Sequence, residues 1–537
     1  MRAGFAPWSI DQFADEDLRN TGPCCQASSD PASWLDAFAQ SPDAPWIYTG
    51  GPENHARILD KLAATRPLWG VAGRALRHVR DPLRLAAVLR QEGWPTLAVI
   101  PGHRVPDTGE WLRKPRRSGG GLGISIHHPA LAEPAASTQT AASTPNAAAR
   151  PNTANPFPTQ RVSYPPPSRR YYFQRQLPAE TPIVGATFLM ADGQARLLGI
   201  AQQFHGLDIG ARSTLPGESS GGDCGPASSG HGIGPATRRE MAFVYRGSIT
   251  VNVEPTVQES LQRLGELLAR RFALRGIIGV DVALRDQHCW VLEVNPRYPA
   301  SAELFEQDDQ LPLPEPPAQH PAAVHPAAVH PAAVHPAAGT AGLARSLVGL
   351  HAAVWRGQPV DETLHAAGIE PARLPLGVPG IARGKWIVYA RSPVIWPERL
   401  QDSPSTTTAL DAASGSNRGS RSPVSARGFR DASVQTSNHW LSDKLLQLKG
   451  IDDLESHANQ ARPGSATAFS PQARFADIPA SLTRIVPGSP ICTLLAYGQQ
   501  GTTVESFQQL LVGLETRLLD RLSGLVEGRS GNGPSER

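Results

Sequence analysis

The amino-acid sequence predicts a mixed fold, part α/β and part α+β, and three observations carry that expectation. Once four Pro-, Ser-, Ala-, Gly- and Thr-rich stretches are set aside, strand-like and helix-like segments alternate along the remainder. A lysine-bearing run, Trp111-Leu112-Arg113-Lys114-Pro115, leads straight into Arg116-Arg117-Ser118-Gly119-Gly120-Gly121-Leu122-Gly123-Ile124. Two further strand-like runs, Gly276–Leu284 and Trp290–Asn295, flank the short polar connection Arg285-Asp286-Gln287-His288, which suits a hairpin.

The elements follow in chain order. Asp81 caps and Pro82 starts a helix whose apolar side carries Leu85, Ala86, Val88 and Leu89, and Gly93 ends it. Thr96–Ile100 reads as a strand. Tyr171–Leu177 and Ile183–Met190 read as a hairpin across Pro178–Pro182, with Arg196–Ala201 as a further strand. A helix over Pro255–Arg275 carries Leu261, Leu264, Leu267, Leu268 and Phe272, most simply as core. Gly384–Ala390, Ala476–Pro479 and Pro487–Thr493 read as strands and turns of a small β-rich unit. A helix over Val504–Val526, with Phe507, Leu510, Leu511, Leu514, Leu518 and Leu522, is expected to pack against that unit rather than to serve a partner. Cys492 reads as a small buried apolar residue, because nothing basic beside it in sequence would favour a thiolate.

With 51 Pro and 50 Gly but only 6% aromatic residues in 537, a sizeable part of the chain cannot pack into a core. That part falls in residues 127–169, 207–237, 307–340 and 401–470, which read as disordered surface-loop insertions. Loop-closure entropy grows slowly with length, so such insertions cost little. The third holds His320-Pro321-Ala322-Ala323-Val324 three times over and then His335-Pro336-Ala337-Ala338. Its regular histidines fit an extended proline-rich repeat better than a metal site. A net charge of +3 with scattered Lys and Arg sets aside nucleic acid and anionic membrane as partners. Five cysteines, an odd number without a CxxC pair, read as free thiols in a reducing cytoplasm. No apolar run approaches the roughly 18 residues of a membrane span, and Met1–Pro7 has no signal-like apolar region, so a soluble, unexported protein is expected.

The chemistry centres on Trp290-Val291-Leu292-Glu293-Val294-Asn295-Pro296-Arg297. Strand alternation places Glu293 and Asn295 on one face and Leu292 and Val294 on the other. With the turn centred near Gln287, antiparallel pairing brings Asp281 opposite Glu293 or one residue away. Three oxygen-bearing side chains then converge, a set that suits a hard cation sharing its remaining ligands with nucleotide phosphates and water. Read alone, the strand would be an ordinary half-buried one with a polar edge. Upstream, Lys114 can set an ammonium on phosphates while the glycine-rich loop wraps them with backbone N–H groups. That loop does not match GxxxxGK[ST], and in isolation it would read as a flexible linker.

In this order (lysine strand, glycine loop, strands, helix, acidic hairpin) the chain resembles the ATP-grasp superfamily, and within it the carboligase-type proteins related to biotin carboxylase. The matching residues are Lys114-Pro115, Gly119–Ile124, Gly279-Val280-Asp281 and Leu292–Arg297, with Glu303 following. The resemblance implies an ATP-grasp fold of two α+β subdomains over residues 96–357. A partial Rossmann-like region (1–95) would precede it, and a small β-rich domain (375–530) would follow. It implies that Lys114 contacts the ATP phosphates and that Gly119, Gly120, Gly121 and Gly123 close over them. Asp281, Glu293 and Asn295 would hold Mg2+, with Mn2+ a second candidate ion, and Arg297 would stabilise the transferring phosphoryl group. Gln174 stands where relatives often place a carboxylate toward adenine and ribose, and Glu180 is the alternative contact. The implied reaction activates a carboxylate as an acyl phosphate for attack by an amine. A bicarbonate-using carboligase and a non-catalytic ATP-binding scaffold remain open. The partners implied are small-molecule carboxylate and amine substrates, with a homodimer as the candidate assembly. Compared with relatives, the chain starts near the second strand of the first domain, so a start codon placed too late is a further expectation.

Overall fold

The structure, a computed structural model, describes residues 5–127, 170–206, 242–306, 346–376, 381–396, 472–479, 483–500 and 502–530. Its first strands pair in parallel: β1 (Ser9–Asp11) with β2 (Cys24–Gln26), and Trp46 with Leu68 as an isolated bridge. Helices α1 (Glu16–Thr21), α2 (Pro31–Gln40), α3 (Ala56–Ala63), α4 (Gly73–Val79) and α5 (Pro82–Gln91) surround them. Asp81 caps α5 as expected, its Oδ1 accepting from Leu83 N at 2.9 Å.

Strands β3 (Val99–Pro101), β4 (Trp111–Pro115), β5 (Ser125–His127) and β6 (Tyr171–Arg175) form an antiparallel sheet ordered β3-β6-β4-β5. The glycine-rich segment is the connection between β4 and β5. A second, larger sheet begins with β7 (Ile183–Ala191), β8 (Gln194–His205) and β9 (Tyr245–Thr250). Asp192 and Gly193 take φ of +50° and +80°, which lets a tight turn follow the strand twist between β7 and β8. Helix α6 (Pro255–Phe272) leads to β10 (Gly276–Arg285) and β11 (His288–Asn295), and a 3-10 turn covers Ala300–Phe305. Helices α7 (Leu347–Trp355) and α8 (Val360–Ala366) follow, and then β12 (Ile381–Tyr389), β13 (Val394–Ile395), β14 (Gln472–Ala476), β15 (Arg484–Ile485), β16 (Pro490–Gln500) and α9 (Val504–Ser530). The large sheet runs β11-β10-β7-β8-β9-β12-β16-β14.

Three apolar clusters hold these layers. Leu261, Leu264 and Leu268 on α6 are fully buried against Phe188 and Ile200, and Leu59, Leu76 and Leu89 of the first region share that cluster. Each such side chain contributes roughly 1.5–3 kcal/mol by leaving water. A second cluster joins Trp386, Leu494, Phe507 and Leu511, so α9 does pack against the C-terminal strands. Those strands continue the large sheet through β12–β9 pairing while keeping this cluster of their own. Cys492 lies in it, and burial pushes its thiol up. The third cluster sets Leu347, Leu350 and Val354 of α7 against Leu189 and Ile277.

The structure corrects several expectations. Tyr171–Leu177 and Ile183–Met190 do not form a hairpin: β6 pairs with β3 and β4, whereas β7 pairs with β8 and β10. The Pro-flanked connection carries the chain from one sheet to the other, since proline offers no N–H for a ladder. The strand expected at Thr96–Ile100 is β3, shifted to Val99–Pro101, and the closing helix extends to Ser530. The four low-complexity stretches lie outside the described residues except for His127, which is buried in β5. Cys224 lies outside them as well. The other four cysteines are free thiols, and no described helix is long and apolar enough to cross a membrane.

Candidate functional site

The hairpin β10–β11 turns through Asp286 and Gln287, at φ +52° and +62°. From that turn the register places Asp281 opposite Glu293 and Gly279 opposite Asn295. Cross-strand partners share a face, so Asp281 and Glu293 point the same way. One detail differs from simple alternation. The register shifts at Asp281/Val282, so Val282 meets Val291 and Leu292 becomes the extra residue of a β-bulge. Val291 and Val294 both enter the core, whereas Leu292 stays outside it and lines the cleft with Glu293 and Val294. The bulge is what sets Glu293, rather than Leu292, opposite Asp281.

Asp281 is held from two sides. Gln203 Nε2 donates to its Oδ1 at 2.7 Å, and Asn295 Nδ2 donates to its Oδ2 at 2.9 Å. Gly185 makes room for this arrangement, because a Cβ there would lie 2.9 Å from Gln203 Nε2. Burial, reinforced by the charge of Glu293, pushes the Asp281 carboxyl up to about 6. Glu293 shows the opposite balance. Burial works against its charge, yet ion pairing with Arg80 and the nearby Lys114 hold it below the usual carboxylate range. Arg80 also donates from Nη2 to Asn54 Oδ1 at 3.2 Å and to the Ser118 carbonyl at 3.0 Å, which ties the glycine-rich segment to this carboxylate.

Lys114 projects from β4 into the same cleft, where its Nζ donates to Gln174 Oε1 at 3.0 Å. Burial opposes its charge, but Tyr172, Glu293 and Asp281 outweigh it and keep the ammonium above its ordinary pKa. Gln174 is buried on β6, whereas Glu180 is exposed on the crossing between the two sheets. The glycines differ among themselves. Gly120, Gly121 and Gly123 take left-handed φ, while Gly119 does not and has open space around it. Gly121 docks against Phe243, whose carbonyl oxygen would lie 1.7 Å from an added Cβ. Tyr245 N donates to the Gly120 carbonyl at 2.9 Å, fixing the loop to the start of β9.

Arg297 lies past the end of β11. Its Nε donates to Glu53 Oε1 at 2.7 Å and its Nη2 lies 3.5 Å from Asn295 Oδ1. Further along the sheet face, Lys385 of β12 is ion-paired with Glu303, and burial together with Lys114 depresses His205 to about 4. Arg80, Glu53 and Gln203 escaped the sequence reading. None sits in a recognisable motif, and only the fold brings them to the hairpin.

Residues 185–301 match the model of the ATP-grasp domain. Over that segment the chain is similar to an ATP-grasp domain. The matched segment runs from β7 into the 3-10 turn and contains Asp281, Glu293, Asn295 and Arg297, while Lys114 and the glycine-rich loop precede it. No curated protein matches the sequence significantly. Among solved structures, an L-amino acid ligase from Bacillus licheniformis is similar at 9% identity and a TM-score of 0.46, over 95% of this chain and 98% of that one. N5-carboxyaminoimidazole ribonucleotide synthetase from Thermus thermophilus gives 11% identity and a TM-score of 0.46, over 96% and 92%. The biotin carboxylase domain dimer of Hydrogenobacter thermophilus 2-oxoglutarate carboxylase, complexed with MgADP, ADP and bicarbonate, gives 10% and 0.46, over 92% and 82%.

Among the described residues, no group of three or more His, Cys, Asp and Glu side chains could hold a metal alone. The β10–β11 hairpin offers two facing carboxylates and an amide, an all-oxygen set short of an octahedron. Such a set fits Mg2+ completed by phosphate oxygens and water, and it does not fit a soft transition metal.

Proposed function

We propose that this protein is an ATP- and Mg2+-dependent ligase that activates a carboxylate as an acyl phosphate and couples it to an amine, forming a C–N bond. The observation that carries this reading is the meeting of Glu293, Lys114 and the glycine-rich loop in one cleft, with Asp281 paired opposite Glu293 and Arg297 beside Asn295. Lys114 would bind the α/β-phosphates, and the N–H groups around Gly119–Gly123 would wrap them. Asp281, Glu293 and Asn295 would hold Mg2+, which neutralises phosphate charge when bound. A substrate carboxylate oxygen attacks the γ-phosphorus and ADP leaves. The amine then attacks the acyl carbon, phosphate leaves, and the amine's proton passes to solvent or a nearby base. Arg297 faces the oxygens on which charge develops in both steps. Gln174, with Glu180 as the alternative, would contact the adenine and ribose. The unit boundaries proposed are residues 1–95, 96–357 and 375–530.

The test is release of ADP and phosphate from purified protein given Mg-ATP with pooled carboxylates and amines. Wild type should turn over and Glu293→Ala should not; identical behaviour in every mixture would end the ligase reading. A nucleotide-binding scaffold is the outcome indicated if ATP raises the melting temperature of wild type alone and no product forms.

A further inference from the structure

We propose that the turn Gly50–His55, from the first region of the chain, is a built-in clamp that positions Arg297 for an anionic ligand. The inference rests on the reading of the cleft as an ATP site. Gly51 at φ +108° bends the chain as only glycine does readily, and Pro52 starts the 3-10 turn Pro52–His55. That turn aims two consecutive side chains at two arginines, Arg297 past the end of β11 and Arg80 of the cleft. Glu53 Oε1 takes Arg297 Nε at 2.7 Å, and Asn54 Oδ1 takes Arg80 Nη2 at 3.2 Å. The Glu53 side chain is only 1% exposed and that of Arg297 14%, so the pair is desolvated and its geometry is stiff.

The choice of contact edge matters. A guanidinium held through Nε keeps its Nη edge, with two parallel N–H bonds, free for phosphate or carboxylate. Here that edge turns toward Asn295, the residue beside the paired carboxylates. A second tether sits alongside: the Tyr48 hydroxyl lies within hydrogen-bonding distance of the Pro296 carbonyl (3.1 Å) and the Val71 carbonyl (2.6 Å). The residue before Arg297 is therefore fixed by the same segment. Glu53 Oε2 is buried with no hydrogen-bond partner among the described residues. A buried carboxylate that leaves one oxygen unused is costly as mere scaffolding, and the cost is explained if the other oxygen's grip on Arg297 is what the site requires. Glu53 is a positioning residue, acting through Arg297.

Calorimetric binding of Mg-AMP-PNP and of Mg-ADP to wild type, Glu53→Gln, Glu53→Ala, Arg297→Ala and the Glu53→Ala/Arg297→Ala double variant tests this. Glu53→Ala should weaken AMP-PNP about tenfold and leave ADP within about twofold, since only the longer nucleotide reaches Arg297. The double variant should bind no more weakly than Arg297→Ala alone. Should Glu53→Ala fail to fold, Glu53→Gln keeps volume and an acceptor oxygen, and it must show the same selective loss at smaller size. Equal losses for both nucleotides, or losses that multiply in the double variant, overturn the clamp and leave the ATP site standing. Binding of neither nucleotide by wild type overturns both.

Discussion

Arg80 and Glu293 are ion-paired across the cleft, joining the residue just past α4 to the carboxylate opposite Asp281. The proposed metal site calls on the same carboxylate, so cation binding and this contact should compete. Arg80→Met leaves a half-buried carboxylate without its partner and should cost about 1–3 kcal/mol of stability. Mg2+ alone should recover part of that loss, raising the melting temperature of Arg80→Met more than that of wild type. Equal Mg2+ shifts in the two proteins, read by differential scanning calorimetry, would show that Arg80 does not guard the carboxylate.

The glycine-rich loop makes a sharper contrast than its composition does. Gly121 has φ +78° and a backbone carbonyl where its Cβ would go, whereas Gly119 has neither restriction. Gly121→Ala must push the loop off Phe243 and should weaken Mg-ATP binding by about tenfold or more. Gly119→Ala should stay within about twofold. Isothermal titration of both variants decides it, and similar constants would mean the loop is not preset by its docking on β9.

What the sequence revealed and what it hid follow from how local each determinant is. The Asp281–Glu293 pairing was legible to within one residue because the turn is short, although the register of Arg285 with His288, continued unbroken, would set Asp281 against Leu292. The bulge at Leu292 was not legible, since it depends on how β11 sits in the twisted sheet rather than on any residue preference. The crossing from β6 to β7 was misread because two apolar strands and a short Pro-containing connection look the same whether the strands pair or part. Lys114 and the glycines were legible only together with the acidic hairpin, since the loop alone reads as a linker. Arg80 and Glu53 were not, since their partners lie 213 and 244 residues away.

His351 links the first region to the large sheet and should confer a pH-dependent stability. Its Nδ1 accepts from Ile277 N at 2.9 Å and its Nε2 faces the Trp69 carbonyl at 2.8 Å, so the neutral ring with the proton on Nε2 fits the site. Burial lowers its pKa from 6.5 to about 4. Between those values the unfolded chain binds the proton and the native state does not, so this contribution falls as pH drops from about 6.5 to about 4. The stability advantage of wild type over His351→Leu should shrink by about 3 kcal/mol between pH 7 and pH 4. The raised Asp281 carboxyl is common to both proteins and cancels in the difference. Urea unfolding at a series of pH values measures the gap, and a constant gap would mean the ring is charged in the native state.

Glu515 is the buried charge that fastens α9 to the large sheet. Its side chain is 2% exposed, ion-paired with Arg246 of β9, and it accepts from Trp386 Nε1 at 3.0 Å. The helical pattern of Phe507, Leu511, Leu518 and Leu522 gave no hint of it, because a glutamate on that face reads as an interruption. Glu515→Ala strands the Arg246 guanidinium in an apolar cluster and should cost about 3–5 kcal/mol. Glu515→Gln, which keeps an acceptor for Trp386, should cost less. Replacing both charges, Glu515→Ala with Arg246→Met, removes the stranded cation and should restore part of the loss. If denaturant midpoints instead place the double variant below Glu515→Ala, the penalty comes from lost packing around Trp386 and not from the unpaired charge.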